Sequence, residues 1–316
     1  MSPACTVAVT GTGVVTCLGV SEETTLAAVR RGMRAAGEPL PLLAGTRFAD
    51  CLAVSGDAPD LSAYVTDRRM KKFMSPHAEL AAAAARQAMA EARPHERGIL
   101  PERMGLYAGT GLASADVRAS HALLGASLDT EGAFSVDAFC ARGMRTIHPL
   151  WSFHTLANMP ACIVSVLENI KGPNGIYTPW EDQTAFALIE AAHALEREDV
   201  DCAVVVAADW PSHPGSLVEL ASLGCIRPGE TASYGAGCLV LERPDSLPPG
   251  KRAPRLHSLR LSPLPGQPVS VDPLEPLLGR TVSAAPLLLA ALGAECGLPP
   301  VLDGCGGQRF SFEREE

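Results

Sequence analysis

Several short strings of this chain are apolar at nearly every position, and one of them predicts a buried strand at residues 200–208, where Asp201 is the only polar residue. A strand that alternates apolar and polar residues has one face in water, whereas a continuously apolar strand needs cover on both faces. Similar strings predict strands at residues 6–10, 104–111 and 236–242, with helical stretches between them. Strands that alternate with helices in this way predict an α/β fold with covered sheets.

The helices are predicted from their caps and their composition. Ser21 precedes Glu22 and Glu23, an acidic first turn that favours a helix ending near residue 32. Ser75-Pro76 starts the clearest helix, an Ala-rich stretch through residue 92. The remaining predictions are helices at 153–170, 182–198, 217–223 and 283–292, strands at 176–178 and 309–314, and irregular chain with helical patches at 112–148.

Charge and hydropathy exclude several classes of protein. The net charge of −9 argues against a protein that binds nucleic-acid phosphates, and the only dense basic run, residues 68–72, is typical of a solvated face. No apolar stretch reaches the length of a membrane span, and no basic segment precedes an apolar one at the N-terminus. We therefore expect a cytoplasmic protein of about two domains' length, with 47% hydrophobic residues to build a sizeable core.

The sequence supports neither a metal site nor a dinucleotide-binding site. The ten cysteines include no Cys-x-x-Cys pair, and no histidine lies at zinc-finger spacing, so we expect no metal site. Gly11-Thr12-Gly13 follows a predicted strand, as a dinucleotide-binding turn does, but the third glycine and the later acidic residue are missing. The sequence therefore implies no cofactor.

One segment carries the most information: Asn158-Met159, a helix, Gly172-Pro173-Asn174, a strand, a turn at residues 179–181 and another helix. Together with the glycine-containing strings at 7–15, 105–111 and 234–242, this order resembles a β-ketoacyl synthase of the thiolase superfamily. The resemblance covers residues 5–245 well and is thin afterwards, where 279–285 and 304–307 correspond to two glycine motifs. It implies a thiolase-like fold of layered αβαβα type with two related halves: a ketosynthase-like N-terminal half, 1–245, and a shortened C-terminal half, 246–316, in one globular unit.

The resemblance places the chemical positions of the family on unsuitable residues. A condensing enzyme needs a thiolate at the strand-to-helix turn and two further donors, usually histidines. Here the nucleophile position is Glu181 and the second histidine position is Arg280. The first histidine motif is absent between Arg260 and Asp272, and Glu275 stands near the place of the family's lysine. No catalytic residue of the family is therefore expected.

Other residues could take the place of the missing nucleophile or base. Cys162 lies on the helix before the turn and is interpreted as a packed thiol rather than a nucleophile. His148 and His154 are interpreted as surface or satisfied core residues, and Asp209-Trp210 as a turn. An acidic residue such as Glu181 is favourable in a first helical turn.

Loss of these positions together resembles the chain length factor, the non-condensing partner of a ketosynthase in type II polyketide synthases, which commonly has glutamine where Glu181 stands. The resemblance implies a heterodimer with an active β-ketoacyl synthase, with any acidic acyl carrier protein docking on that partner. Leu150, Trp151, Phe153, Asn158 and Met159 would gate the cavity for the growing acyl or polyketide chain, and an ordinary core role for this segment is an equal alternative. An acyltransferase or malonyl-carrier decarboxylase with a remodelled site, and a purely structural partner, are the other hypotheses.

Overall fold

The computed structural model describes residues 6–54, 59–112, 117–250, 253–264 and 271–315. Its helices are α1 Glu22–Arg30, α2 Arg68–Lys71, α3 Pro76–Ala92, α4 Val117–Ala126, α5 Val136–Ala141, α6 Trp151–Thr155, α7 Met159–Leu167, α8 Glu181–Glu196, α9 Pro214–Ser222, α10 Glu275–Leu278 and α11 Ala285–Leu292. Its strands are β1 Val7–Thr16, β2 Gly37–Pro39, β3 Leu52–Val54, β4 Met104–Thr110, β5 Asn174–Tyr177, β6 Cys202–Asp209, β7 Thr231–Ala232, β8 Gly235–Glu242, β9 Arg255–Pro263, β10 Val301–Asp303 and β11 Gln308–Glu315.

Eight strands form one mixed sheet in the order β10-β11-β9-β1-β8-β6-β4-β5. Strands β4, β5 and β6 are parallel, and the other pairs are antiparallel. The C-terminal strands β9, β10 and β11 join this sheet rather than building a second large one within the described ranges. Strand β5 lies at one edge, and β2, β3 and β7 form a separate small sheet.

Helices cover the central strands on both faces, as the continuously apolar strings predict. Helices α3 and α7 share one apolar cluster with the sheet, and α1, α8 and α11 share another with its opposite face. Every residue of β4, β6 and β8 is buried. The predicted α/β class is confirmed.

The close fit of α3 on the sheet explains the N-terminal glycines. Strand β1 does not end at Thr10 but continues to Thr16, and Gly11 and Gly13 lie within it rather than in a turn. A Cβ atom on Gly13 would overlap the main-chain oxygen of Ala84 in α3. These glycines therefore allow close helix packing instead of binding a phosphate.

The cap predictions are confirmed at two helices. The side chain of Ser21 accepts a hydrogen bond from the N–H of Thr24, and that of Ser75 accepts one from Ala78. The single helix predicted for 153–170 is wrong, because the chain forms two helices, α6 and α7, separated at Leu156–Asn158. Pro160 in the first turn of α7 is compatible with a helix start and not with a continuous helix interior. The basic run is exposed at Arg68, Arg69 and Lys72, as predicted.

Candidate functional site

The turn between β5 and α8 delivers two acidic residues into the interior. Glu181 and Asp182 are the first two residues of α8, and their exposed fractions are 0% and 3%. The free N–H groups of a helix start favour negative charge, which agrees with the acidic first turn expected at Glu181. Full burial adds a second requirement, because a carboxylate removed from water needs hydrogen-bond or ion-pair partners inside the protein.

Glu181 finds those partners far away in the sequence. Its Oε1 atom accepts a hydrogen bond from Nη2 of Arg280 at 2.6 Å, and its Oε2 atom accepts one from the N–H of Cys305 at 3.0 Å. Arg280 is only 1% exposed, so this is a fully buried ion pair. The two positions that the family resemblance assigns to the nucleophile and the second histidine therefore bind each other.

The main chain holds Arg280 in place for this contact. Its N–H donates to the carbonyl of Thr231 at 2.7 Å, and its carbonyl accepts from Ser233 at 2.9 Å, which adds it to β7 as a bridge. The preceding Gly279 has φ +72°, a left-handed conformation in which a side chain would also crowd Ser233. Glycine at this point lets the chain turn and present the guanidinium to Glu181.

Arg280 also lies in the field of a second carboxylate. Burial opposes the charge of Arg280, but the carboxylates of Glu181 and Asp272 outweigh it and raise the pKa of the guanidinium. Asp272 is buried, and burial raises its pKa to about 6 although Arg280 acts in the opposite direction. Its Oδ1 atom accepts from the N–H of Leu274 at 2.9 Å.

A glycine-rich turn between β10 and β11, residues 304–307, closes the site on the other side. Besides the Cys305 N–H contact to Glu181, this turn lies against Asp182, where a Cβ on Gly306 would overlap the carboxylate. Burial raises the pKa of Asp182, the charge of Glu181 raises it further, and the Gly306 N–H lowers it. Both acidic residues of the first turn of α8 are thus held by the same turn.

Asp209 is not in a turn, as the sequence suggested, but is the buried last residue of β6. Its Oδ2 atom accepts from the N–H of Ser283 at 3.0 Å, and Oδ1 lies 3.8 Å from Nε2 of the buried His77. The hydroxyl of Ser283 donates to the carbonyl of Pro179 at 2.5 Å. Ser283 therefore ties the end of β6 at Asp209 to the turn before Glu181.

These contacts limit the chemistry that the site can perform. Neither an ion-paired carboxylate nor a guanidinium supplies the thiolate of an acyl-enzyme, and the Cys305 N–H already binds an oxygen of Glu181. Within the described ranges, no group of three or more His, Cys, Asp or Glu residues could hold a metal ion. The arrangement is that of a buried structural ion pair, with partners on three separate segments.

The five residues expected to gate a cavity are placed in different environments. Met159 is 8% exposed and packs in the protein's own core, whereas Asn158 is exposed. Leu150 and Trp151 are half-buried, and Phe153 is 37% exposed and contacts Phe73 edge to face at 5.6 Å. The indole Nε1 of Trp151 is buried with no hydrogen-bond partner in the described part of the chain.

The remaining candidate residues are Cys162, His148 and His154. Cys162 is exposed, so its interpretation as a packed thiol is wrong. Its Sγ atom lies 3.9 Å from Nδ2 of Asn158, and the residue lines an open cavity of about 330 Å³ between α7 and β5. Nδ1 of His148 accepts from the N–H of Leu150 at 3.1 Å, and Nε2 of His154 lies 3.1 Å from the carbonyl of Lys72. Both histidines thus have main-chain partners, as their interpretation expected.

Apolar side chains surround the free edge of the large sheet. Strand β5 is the last strand on that side, and its residues are half-buried or exposed. We call the β5 edge surface the set of exposed or half-buried side chains on β5 and the two helices beside it, namely Cys162, Val166, Ile176, Tyr177 and Phe186. Val166 and Phe186 are 63% and 44% exposed. An open strand edge with apolar neighbours is typical of a pairing surface.

Comparison with known proteins agrees with this architecture. The family described as Beta-ketoacyl synthase, N-terminal domain, matches residues 4–243. No curated protein matches the chain. No helix within the described ranges is both long and apolar enough to cross a membrane.

Solved structures share the fold at low sequence identity. A β-ketoacyl synthase from Burkholderia phymatum has a TM-score of 0.62 at 19% identity, covering 81% of this chain and 64% of that one. The ishigamide ketosynthase/chain length factor has a TM-score of 0.61 at 16% identity, covering 93% and 74%. The structure of a type II polyketide synthase acyl carrier protein in complex with its ketosynthase bound to the hexaketide has a TM-score of 0.62 at 16% identity. The match covers 82% of this chain and 69% of that one.

The fold is thiolase-like, of the kind found in ketosynthases. The match over more than half of the sequence further shows that the chain belongs to the β-ketoacyl synthase family. It spans about two thirds of the length of the solved structures named above. The family assignment predicted from the glycine strings and the Asn158-Met159 segment is confirmed.

Sequence reasoning identified Glu181 and Arg280 as altered positions but missed that they form a pair. It also missed Cys305 as a main-chain donor, together with Asp209 and Asp272 as buried acids. One available signal was charge balance: the two positions that the resemblance assigns to a thiol and a histidine carry residues of opposite charge, which suggests an ion pair if they are close in the family fold.

Proposed function

We propose that this chain is a non-condensing β-ketoacyl synthase subunit, similar to a chain length factor, that pairs with an active ketosynthase and shapes the cavity for a growing acyl or polyketide chain. The observation that carries the proposal is the buried 2.6 Å ion pair between Glu181 and Arg280. It fills the positions that the family resemblance assigns to the nucleophile and the second histidine. A subunit that keeps the fold but has an ion pair at these positions would act through its shape and contacts rather than through catalysis.

The chemistry of the pair supports catalytic silence. A condensing enzyme must hold its acyl group as a thioester, which requires a thiolate at the turn. Glu181 has no sulfur, and the Arg280 guanidinium stays protonated and cannot move a proton in an acid–base step. The acyltransferase and decarboxylase alternatives need a free donor for a developing oxyanion or enolate, and the Cys305 N–H is already bound to Glu181.

The β5 edge surface supports pairing with another subunit. A partner that adds its own strand along β5 would satisfy the free N–H and C=O groups of the edge and cover Val166, Ile176 and Phe186. Solved structures of this fold include one described as a ketosynthase/chain length factor, which makes an active ketosynthase the partner we propose. The net charge of −9 would disfavour direct docking of an acidic acyl carrier protein, so carrier docking falls to that partner.

The segment around Trp151 is the proposed gate. Trp151 is the N-terminal residue of α6, and its buried indole N–H has no acceptor in the described ranges. A large, rigid aromatic side chain with a free polar atom is well suited to an interface or to the end of an apolar cavity. Leu150 and Phe153 would line the same segment with smaller side chains.

Acyl trapping tests the silence of the site. The full chain, alone and with a co-expressed ketosynthase, is incubated with acylated acyl carrier protein or acyl-CoA. The mass of each intact subunit is then measured by mass spectrometry. We expect the acyl adduct on the ketosynthase only. A Glu181→Cys variant serves as the matched control and should gain no condensing activity, because Arg280 still replaces the histidine. A stable acyl adduct on any cysteine of the natural chain would contradict the proposal.

Product length tests the gate. In the reconstituted pair, Trp151→Ala should lengthen the product by opening space at the cavity end, and Phe153→Ala should change it less. Dimer yield is measured for each variant by size-exclusion chromatography. An intact, active dimer of Trp151→Ala that makes products of unchanged length would favour a purely structural partner.

A further inference from the structure

Two cysteines from distant parts of the chain meet beside the Glu181–Arg280 pair. Cys225 lies in the turn after α9, and Cys305 lies in the glycine-rich turn 304–307. Their thiols are joined by a side-chain hydrogen bond, and Sγ of Cys305 is 3.9 Å from the carbonyl oxygen of Cys225. Cys225 is 8% exposed, whereas Cys305 is half-buried.

The surroundings of this thiol pair differ from those of the other buried cysteines. Nη2 of Arg280 lies 3.8 Å from Sγ of Cys305 and 3.4 Å from the carbonyl of Cys225. The hydrogen bond from the Cys305 thiol lowers the pKa of Cys225, even though burial and the charge of Glu181 act in the opposite direction. By contrast, burial raises the pKa of Cys202 and of Cys238, which lie within strands β6 and β8.

These positions satisfy the two requirements of a thiol pair that reacts with peroxide. One thiol must be stabilised as a thiolate, because the thiolate is the nucleophile, and a second thiol must be in contact with it to complete the reaction. The buried Cys225 fits the first role and is reached by small oxidants only. Cys305 fits the second, and the glycines on both sides of it let its turn adapt to the narrow geometry of a disulfide.

We propose that Cys225 and Cys305 form a reversible disulfide in reaction with hydrogen peroxide. The Cys225 thiolate attacks one oxygen of the peroxide, the O–O bond breaks, and the departing hydroxide takes up a proton to give water. The resulting sulfenic acid is then attacked by the Cys305 sulfur, which forms the S–S bond and releases a second water. Two thiols and one peroxide thus give one disulfide and two waters, and a small dithiol reverses the reaction by becoming oxidised itself.

The disulfide would join two turns that the ion pair already brings together. It would fix the turn 304–307, whose Cys305 N–H holds Glu181, to the turn after α9. It would also remove the thiol that lies 3.8 Å from the Glu181 carboxylate. This site depends only on the thiols of the chain and is independent of the proposed pairing and gating functions.

Limited peroxide treatment tests the site. The reduced full chain, with its partner if one is needed for purification, is treated with one equivalent of hydrogen peroxide at neutral pH. Remaining thiols are blocked and the chain is mapped without reduction. We expect the peptide that links Cys225 to Cys305 as the first disulfide, formed about tenfold faster than any modification of the exposed Cys140 or Cys162.

Three variants separate the roles. Cys305→Ser should stop at the sulfenic acid on Cys225, which dimedone traps, whereas Cys225→Ser should give neither a disulfide nor an adduct on Cys305. Cys140→Ser, a change at an exposed cysteine outside the β5 edge surface, should leave the linkage unchanged. The proposal is overturned if one equivalent of peroxide modifies Cys140 or Cys162 while both thiols of the pair remain free, or if Cys305→Ser yields no dimedone adduct on Cys225.

Discussion

Helices α3 and α8 cover opposite faces of the same sheet, and their N-terminal turns are built in opposite ways. Helix α3 begins with a local cap, in which Ser75 accepts a hydrogen bond from the N–H of Ala78 only three residues away. Helix α8 has no side-chain cap at Trp180 and instead buries two carboxylates. The partners of Glu181 come from residues 280 and 305.

The difference shows how the two helix ends depend on the fold. The start of α3 is satisfied by its own neighbours and by an Ala-rich face that fits the sheet closely. The start of α8 is satisfied only when three separate segments have assembled, because an unpaired buried carboxylate is costly. Variants at the two ends should therefore differ in magnitude.

The largest effect is expected from Arg280→Met, which leaves Glu181 buried without its cationic partner. Breaking a fully buried ion pair by removing one partner costs about 3–5 kcal/mol of unfolding free energy. Urea unfolding followed by circular dichroism measures the loss. The matched control is Arg30→Met, which removes an exposed pair with Glu295 and should cost less than about 1 kcal/mol.

The double variant Glu181→Gln/Arg280→Met sharpens the same test. With both members of the pair replaced, much of the loss should be recovered, because Glu181 is no longer a buried carboxylate without its cation. If Arg280→Met and the double variant lost the same unfolding free energy, the shape of the side chains rather than their charge would stabilise the turn. The start of α8 would then not differ from that of α3 in the way described.

The next effect concerns the pH dependence that Asp272 gives the site. Its pKa is about 6 in the folded protein against an ordinary 3.8, so the folded state binds the proton more tightly. The Asp272 carboxyl therefore adds to the free energy of unfolding below about pH 4, and this contribution is lost as the pH rises through 6. An Asp272→Asn variant lacks this carboxyl and so does not lose its contribution as the pH rises. The unfolding free energy of the variant minus that of the natural chain should therefore increase by about 2 kcal/mol between pH 4 and pH 7.5. Urea unfolding at both pH values measures it, and parallel pH profiles would contradict it.

A smaller loss is expected where α3 meets the sheet. Gly13→Ala places a methyl group against the carbonyl of Ala84, so the helix must shift, at a cost of about 1–3 kcal/mol. The matched control is Gly125→Ala in α4, where an added Cβ meets open space, and this change should be neutral or slightly stabilising. Thermal unfolding midpoints compare the two, and equal midpoints would show that α3 does not pack as closely as described.

The smallest effect is expected at the local cap itself. Ser75→Ala removes the acceptor for the Ala78 N–H and should cost about 1 kcal/mol. Ser75→Asp, which keeps an acceptor, should restore most of it, again by urea unfolding. A loss at Ser75 as large as that at Arg280 would remove the distinction between locally and globally satisfied helix starts.

The same distinction explains what could be predicted from the sequence. The α3 helix, its cap and the covered strands β4, β6 and β8 follow from neighbouring residues, and all were predicted. The short strands β2, β3 and β7 were not, because two or three residues in a pair carry no periodic signal. The break between α6 and α7 was also missed, although Pro160 marks it.

At the candidate site, the sequence and the family resemblance identified Glu181 and Arg280 but not their contact. The pair spans 99 residues, and nothing in either neighbourhood shows which buried group the other will meet. Cys305 contributes a main-chain N–H, which every residue except proline has, so its identity carried no signal. Asp209 was interpreted as a turn residue because a polar residue after an apolar string is common in loops.

The Glu181–Arg280 pair also bears on how such a chain can change over generations. Replacing Glu181 by cysteine leaves a buried guanidinium without its direct partner, and replacing Arg280 by histidine leaves the carboxylate with a weaker one. Each of these single substitutions therefore passes through a less stable intermediate, which a marginally stable protein tolerates poorly. The two positions are therefore epistatically coupled, so that a lineage carrying both residues exchanges them more easily together than one at a time.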